Sequence, residues 1–198
     1  IGVFDQNVVS YLELLRLPYT GCNPRGLTLA RDKSLAKKLF AYHRVPVPDF
    51  TVVPLNRKPS VPKKLKFPLI VKSPTYESSI GISQASVVAN EEQLARRVQF
   101  IHQSIGTAAI VEQYIDGREL YVGVMGNLRL QVFPVWEMSF AKMGENSWHI
   151  ATERVKWSVA YQKKHGIDTA AAVLPPEVAL QVQHLAKRVY KALDLTGY

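Results

Sequence analysis

The stretch Phe67 to Ser83, FPLIVKSPTYESSIGIS, decides the reading of this 198-residue chain. Leu69, Ile70 and Val71 form a continuous apolar run between Pro68 and Pro74, the pattern of a short strand buried on both faces, and Lys72 stands where that strand emerges. A cation at a strand end calls for an anion. Immediately beyond it, Ser78, Ser79, Ile80 and Gly81 offer hydroxyls and successive backbone N–H groups in a loop that Gly81 keeps bendable, a concavity suited to phosphate. A strand followed by a solvated turn fits the same residues, and no GxxxxGK[ST] phosphate loop occurs in the chain.

Outward from this stretch, Ser83 to Ala89 reads as the returning strand of a hairpin with Thr75 to Gly81 as its flexible tip. Asn90 with Gln93 makes a capping box for a helix carrying Leu94, Val98, Ile101 and Ile105 on one face until Gly106 closes it. Ala108 to Tyr114 is a second buried strand; Asp116-Gly117 turns into Glu119 to Gly126, and Gly126-Asn127 turns again before Leu128 to Val135. Phe140 to Lys164 is polar and rich in Lys and Glu, so a long mobile loop is expected. Pro175-Pro176 opens a helix lined by Val178, Val182, Leu185, Val189 and Leu193. Toward the N-terminus, Phe50 to Val53 is strand-like and Pro54 to Lys66 a surface loop. Asp32 caps a helix expected to turn Leu35, Ala36, Leu39 and Phe40 inward. Tyr19 to Gly26 reads as a connector, and Val8, Val9, Leu12, Leu15 and Leu17 give the entry segment a partly helical stripe before Pro18 stops it.

Composition narrows the class. A hydrophobic content of 47% suits a chain that folds by burying a core, and the single Cys22 rules out an internal disulfide and fits a reducing compartment. No apolar run reaches membrane-spanning length, and IGVFDQNVVS lacks the basic start of a secretory signal, so a cytoplasmic protein is expected. No initiator methionine begins the chain and LDLTGY stops abruptly after a helical pattern, which reads as a cut through a longer protein. The net charge of +9 suits a phosphate-bearing partner, but aromatics do not alternate with the basic groups as a single-strand binding platform requires.

The usual catalytic signatures are missing. Gly81-Ile82-Ser83-Gln84-Ala85 lacks the second glycine of a nucleophile elbow, the five histidines and one cysteine fall at no zinc spacing, and no GxGxxG follows a strand. What remains is a nucleotide site in separated pieces: Lys72 with the serine loop for phosphates, and Val111 to Glu119, VEQYIDGRE. A strand ending in a tight turn exposes backbone groups that can read an adenine edge, and Glu119 beyond it can accept from ribose hydroxyls. Two solvent-facing strand carboxylates, Glu112 and Glu119, are the plain alternative.

Tyr19-Thr20-Gly21, Ala30-Arg31-Asp32-Lys33, Ile70-Val71-Lys72, Ser78 to Ser83 and Val111 to Glu119 occur in the order and spacing of the D-alanyl-D-alanine ligases. Over nearly its whole length the chain resembles that family, a branch of the ATP-grasp superfamily. The resemblance implies an α+β ATP-grasp fold, two subdomains gripping the nucleotide between them. Residues 1–31 would be the remnant of an N-terminal substrate domain, 32–113 the central subdomain, and 114–198 the first part of a C-terminal subdomain left incomplete. It implies an ATP-dependent carboxylate–amine ligase working through an acyl phosphate. Lys33 and Lys72 would hold the α- and β-phosphates, Ser78, Ser79 and Gly81 would close over the triphosphate, and Glu112, Gln113, Tyr114 and Ile115 would take the adenine. Glu119 would take the ribose. Arg154-Val155-Lys156-Trp157 is similar to the family's lid segment and puts Lys156 near the β- and γ-phosphates; Lys156 and Ser79 are the candidate catalytic residues.

The same resemblance implies Mg2+, with its ligands beyond Tyr198 and none within the chain, so the chain by itself is not expected to catalyse ligation. Expected partners are ATP and an amino-acid or small-peptide substrate, without membrane or nucleic acid; a homodimer is compatible. Three departures bear on the substrate: Cys22-Asn23-Pro24-Arg25 replaces small residues after YTG, Glu77 replaces a glycine and Trp157 a tyrosine. They keep open a peptide ligase using other amino acids, or a non-catalytic module that binds adenine nucleotides or nucleic acid.

Overall fold

The computed structural model describes residues 4–144 and 147–198. Ile1 to Val3 of the entry segment and Glu145 and Asn146 of the polar stretch lie outside the described residues. The chain is a mixture of helix and sheet, as expected, and it divides into two compact units. One holds the chain up to Val47 with Arg118–Met138 and Thr169–Tyr198; the other holds Pro48–Gly117 and Ser139–Asp168.

In the first unit, α1 (Asp5–Leu14), α2 (Pro24–Arg31) and α3 (Lys33–Tyr42) follow one another. The expected connector through Gly26 is in fact α2, because Asn23 in extended conformation precedes Pro24 at the first helical position, where a missing N–H costs nothing. Gly26 is a packing glycine: a Cβ there would lie 2.6 Å from Leu195 Cδ2 and 2.9 Å from Cys22 Sγ. Asp32 caps α3 as expected, its Oδ1 accepting from the N–H groups of Ser34 at 2.9 Å and Leu35 at 3.0 Å. Of the four residues expected to face inward, only Ala36 is buried and Leu35 is exposed. The strands β5 (Glu119–Gly126) and β6 (Leu130–Phe140) form an antiparallel hairpin, with β7 (Ile167–Ala171) on the far side of β6. The helix α7 (Pro176–Ala192) packs on β5, and its buried Tyr190 donates to the Gly126 carbonyl at 2.7 Å.

In the second unit, β1 (Phe50–Val53), β2 (Leu69–Lys72), β3 (Val87–Val88) and β4 (Ala109–Gln113) make a four-stranded antiparallel sheet in the order β1-β4-β2-β3. The helix α4 (Glu91–Phe100) continues through a π turn, Ile101–Ile105, to Gly106, whose φ of 76° ends it. Asn90 Oδ1 accepts from Gln93 N at 2.9 Å, and the Gln93 side chain returns to Ala89 N at 2.8 Å. Leu94, Val98 and Ile101 pack against Leu69, Val71, Val88, Ala109 and Val111, which makes one face of the sheet the main core. The period of two then sends Ile70, Lys72, Ile110 and Glu112 to the other face.

Two expectations are corrected here. The returning strand is confined to Val87 and Val88, because Gln84–Ser86 forms a 3-10 turn in which Ser83 and Ser86 cap each other. The polar stretch is not a loop throughout: it contains α5 (Glu153–Trp157) and α6 (Val159–His165), started by the Thr152 and Ser158 hydroxyls and ended by Gly166 at φ 57°. Local caps decide these helices, and their high charge concealed them.

Candidate nucleotide site

On the second face of the four-stranded sheet, Ile70 pairs directly with Glu112, which puts Lys72 diagonally across from that carboxylate. Lys72 Nζ forms an ion pair with Glu112 Oε1. Glu112 is 4% exposed, so this is a buried carboxylate held beside an ammonium rather than a solvent-facing strand residue. The Lys72 side chain is itself largely covered, at 21% exposure. Ile70, the register partner of Glu112, packs with Ile82 and Trp148 against a small apolar cluster of Val87, Tyr114 and Ile150. Tyr114 and Trp148 meet edge to face, their centroids 5.1 Å apart.

The serine loop beyond β2 has an unusual backbone. Ser78 (φ 55°), Ser79 (φ 64°) and Gly81 (φ 71°) are all left-handed, whereas Ile80 between them is not. That conformation costs a residue with a side chain about 1–2 kcal/mol, so two serines there mean that the surroundings hold the loop in place. Those surroundings are visible. The Ser79 hydroxyl donates to the Ala151 carbonyl at 2.5 Å, and the Gln84 side chain donates to Trp148 O at 3.0 Å while accepting from Trp148 N at 2.8 Å. Behind the loop, Ser73 Oγ accepts from Thr75 N and Tyr76 N, both at 3.3 Å. Within it, Ile80 N and Ile82 N bond to the carbonyls of Glu77 and Ser79 at 3.1 and 2.9 Å. The N–H groups of Ser78, Ser79 and Gly81 have no partner among the described residues. A left-handed run interrupted at Ile80, with N–H groups that have no partner among the described residues, has the form of a nest for an anion.

At the end of β4, Gln113 N donates to Asp49 O at 2.9 Å and Tyr114 N to Pro68 O at 3.2 Å, so these two N–H groups are already engaged. Ile115 N has no partner among the described residues, and the Ile115 side chain is exposed. Lys156 lies on α5 beside the fully buried Val155 and the exposed Trp157, and its carbonyl accepts from Gln162 Nε2 at 3.1 Å.

All of these residues belong to one unit. Lys33, the first residue of α3, and Glu119, the first of β5, belong to the other. Glu119 Oε1 accepts from the Tyr121 hydroxyl at 3.1 Å; burial first, and then the neighbouring Glu119 charge, push the Tyr121 phenol up to about 12. Asn23 and Arg25, two of the departures from the ligase pattern, are engaged near the other end of the chain. Asn23 Nδ2 donates to Asp194 O at 2.9 Å, its Oδ1 accepts from Thr196 N at 3.2 Å, and Arg25 pairs with Asp194 at 3.1 Å. These contacts give that departure a structural use independent of any substrate.

Sequence reasoning missed Gln84, Trp148 and Arg97, which hold the serine loop. Only Arg97 left a signal: it stands three residues after Leu94 and four before Ile101, a charge inside an apolar stripe.

Among the described residues, no three His, Cys, Asp or Glu side chains gather where they could hold a metal ion. No helix is long and apolar enough to cross a membrane.

A mixed sheet-and-helix unit with an ion-paired lysine and a left-handed serine loop defines the α+β class, and comparison with known proteins gives the family. The profile described as "D-ala D-ala ligase C-terminus" matches residues 39–198, and the chain belongs to that family. It is 33% identical to the D-alanine–D-alanine ligase of Desulforudis audaxviator over 98% of this chain and 60% of that protein. It is 30% identical to the uncharacterized protein y4sG of Sinorhizobium fredii over 97% of this chain and 54% of that one. Among solved structures, the D-alanine–D-alanine ligase of Bacillus anthracis complexed with ATP superposes with a TM-score of 0.72 at 21% identity, covering 96% of this chain and 55% of that one. The VanG D-Ala:D-Ser ligase of Enterococcus faecalis gives 0.71 at 23%, covering 98% and 55%. These likenesses establish the ATP-grasp fold of such ligases. The chain spans little more than half the length of the relatives it matches.

Proposed function

We propose that this chain forms the nucleotide-binding part of an ATP-dependent carboxylate–amine ligase of the D-alanyl-D-alanine ligase type. One observation carries the reading: an ammonium fixed by a buried carboxylate at the end of β2, followed by a loop that presents three unsatisfied N–H groups. In the proposal Glu112 orients Lys72, whose remaining N–H bonds point the ammonium's charge at a β-phosphate. The nest at Ser78, Ser79 and Gly81 takes the terminal phosphates, Ile115 N reads the adenine edge, and Lys156 faces the transferring group. Ser79 acts by pinning the loop to Ala151.

The reaction follows from that placement. A substrate carboxylate oxygen attacks the γ-phosphorus, the bond to the bridging oxygen breaks, and ADP leaves. An amine then attacks the acyl carbon, loses a proton and expels phosphate. This chain's residues would supply position and positive charge for the phosphoryl group in flight, where a single preorganised donor is worth roughly 10²–10³ in rate.

The family's relatives named D-alanine–D-alanine ligase and the ATP complex of the Bacillus anthracis enzyme support ATP and a D-amino acid as substrates. The test is phosphate release from ATP by the protein in its full reading frame, with a panel of D- and L-amino acids. Release that rises at least tenfold with a D-amino acid is expected. Release that ignores every amino acid would overturn the ligase reading.

A further inference from the structure

We infer that Arg97, a side chain of α4 outside the phosphate-contacting set, is a positioning residue that staples the Gly81 end of the serine loop in its anion-binding shape. Its Nη2 donates to the Gly81 carbonyl and, at 2.7 Å, to Ser86 Oγ, which also accepts from Ser83 N at 3.0 Å. One guanidinium therefore joins both sides of the turn that leaves the loop. Arg97 is 7% exposed and forms no ion pair among the described residues; its carbon stands 4.4 Å over the Phe100 ring. Burial lowers its affinity for a proton, yet a guanidinium stays charged at neutral pH.

A buried cation whose acceptors are carbonyl and hydroxyl oxygens is expensive to keep, and a methionine or leucine would fill the same stripe beside Leu94 and Ile101. What the guanidinium supplies is direction. By holding the Gly81 carbonyl against α4 it fixes the peptide plane on that side of the nest. The opposite side is fixed by Ser79 on Ala151 and by Gln84 on Trp148. Ile105 closes the remaining space: a Cβ on Gly81 would lie 3.0 Å from Ile105 Cδ1. The loop is thus fastened at both ends by groups that touch no phosphate, and its left-handed serines stay populated without ligand.

The inference rests on the nucleotide reading above for its consequence but not for the staple itself, and the experiment separates the two. Arg97→Lys keeps the charge but ends one bond short of Nη2, the nitrogen that reaches both acceptors, and Arg97→Met keeps the volume. In the ligand-free protein, amide hydrogen exchange at Ile80, Ile82 and Ser83, whose N–H groups are bonded within the loop, is expected to speed up at least tenfold in both variants, with β1 and β4 keeping their protection. Affinity for ATP should fall tenfold or more while affinity for adenosine, which has no phosphates to place, is unchanged. A purely structural arginine would move both ligands together. Should either variant fail to fold, Ser86→Ala removes one acceptor and little volume, and a smaller change in the same direction is expected. Unchanged loop exchange in a folded variant would overturn the staple. Changed exchange in a protein that never binds ATP would uphold the staple and overturn the nucleotide reading.

Discussion

At the scale of the residue, the Lys72 and Glu112 pair governs how the site and the fold depend on each other. Glu112 lies within the sheet at 4% exposure, where the ammonium offsets the cost of burying its charge. Removing Lys72 is therefore a stability mutation as well as a binding one. Lys72→Met is expected to cost about 3 kcal/mol because it leaves a buried carboxylate without its ion pair. The double variant Lys72→Met/Glu112→Leu should recover most of that. Urea denaturation of the three proteins checks this, and equal midpoints for parent and Lys72→Met would contradict it. Sequence alone identified both residues but not their union. Lys72 was legible because a cation closing an apolar run is conspicuous. Its pairing depends on the β2–β4 register, which is set by packing on α4 and by the Tyr114 contact to Pro68, neither of which a linear pattern encodes.

At the scale of the element, the helices with local start signals were the legible ones. Asp32 announced α3, Asn90 with Gln93 announced α4, and Pro176 announced α7. The helices α2, α5 and α6 carry start signals of the same kinds, Pro24 at the first helical position, Thr152 and Ser158, but lie in stretches whose glycine or charge content argued for loops. Short helices of this sort depend on the cap more than on an apolar face. Asp32 offers the cleanest test. Burial works against its ionisation, but the Ser34 hydroxyl and the Leu35 and Ser34 N–H groups outweigh burial and hold the carboxyl below its ordinary 3.8. A depressed value in the folded state stabilises the protein above 3.8, and that stabilisation is lost as pH falls through the lowered value. Asp32→Ala is expected to cost about 1 kcal/mol at pH 7 and progressively less below pH 4, measured by urea denaturation across pH. A cost that is independent of pH would show that the carboxylate is not the cap.

At the scale of the whole molecule, each compact unit is assembled from separate stretches of the chain. The chain up to Val47 joins Arg118–Met138 and Thr169–Tyr198, and Pro48–Gly117 joins Ser139–Asp168. No composition shift marks these returns, and so the tertiary grouping was beyond a reading of motifs in order. The ATP-grasp class was nevertheless readable, because five motifs at fixed separations constrain the fold more tightly than any one strand or helix. The functional account turns on whether the unit that holds Lys72, the serine loop and Ile115 recognises an adenine nucleotide by its base as well as its phosphates. The direct measurement is a calorimetric titration of this protein with ATP, ITP and a duplex oligonucleotide at two salt concentrations. The account predicts that ATP binds at least tenfold more tightly than ITP, with the preference kept at both salts. Equal affinity for ATP and ITP, or binding to the oligonucleotide alone with a steep loss in salt, would contradict it and mark the basic charge as the functional feature instead.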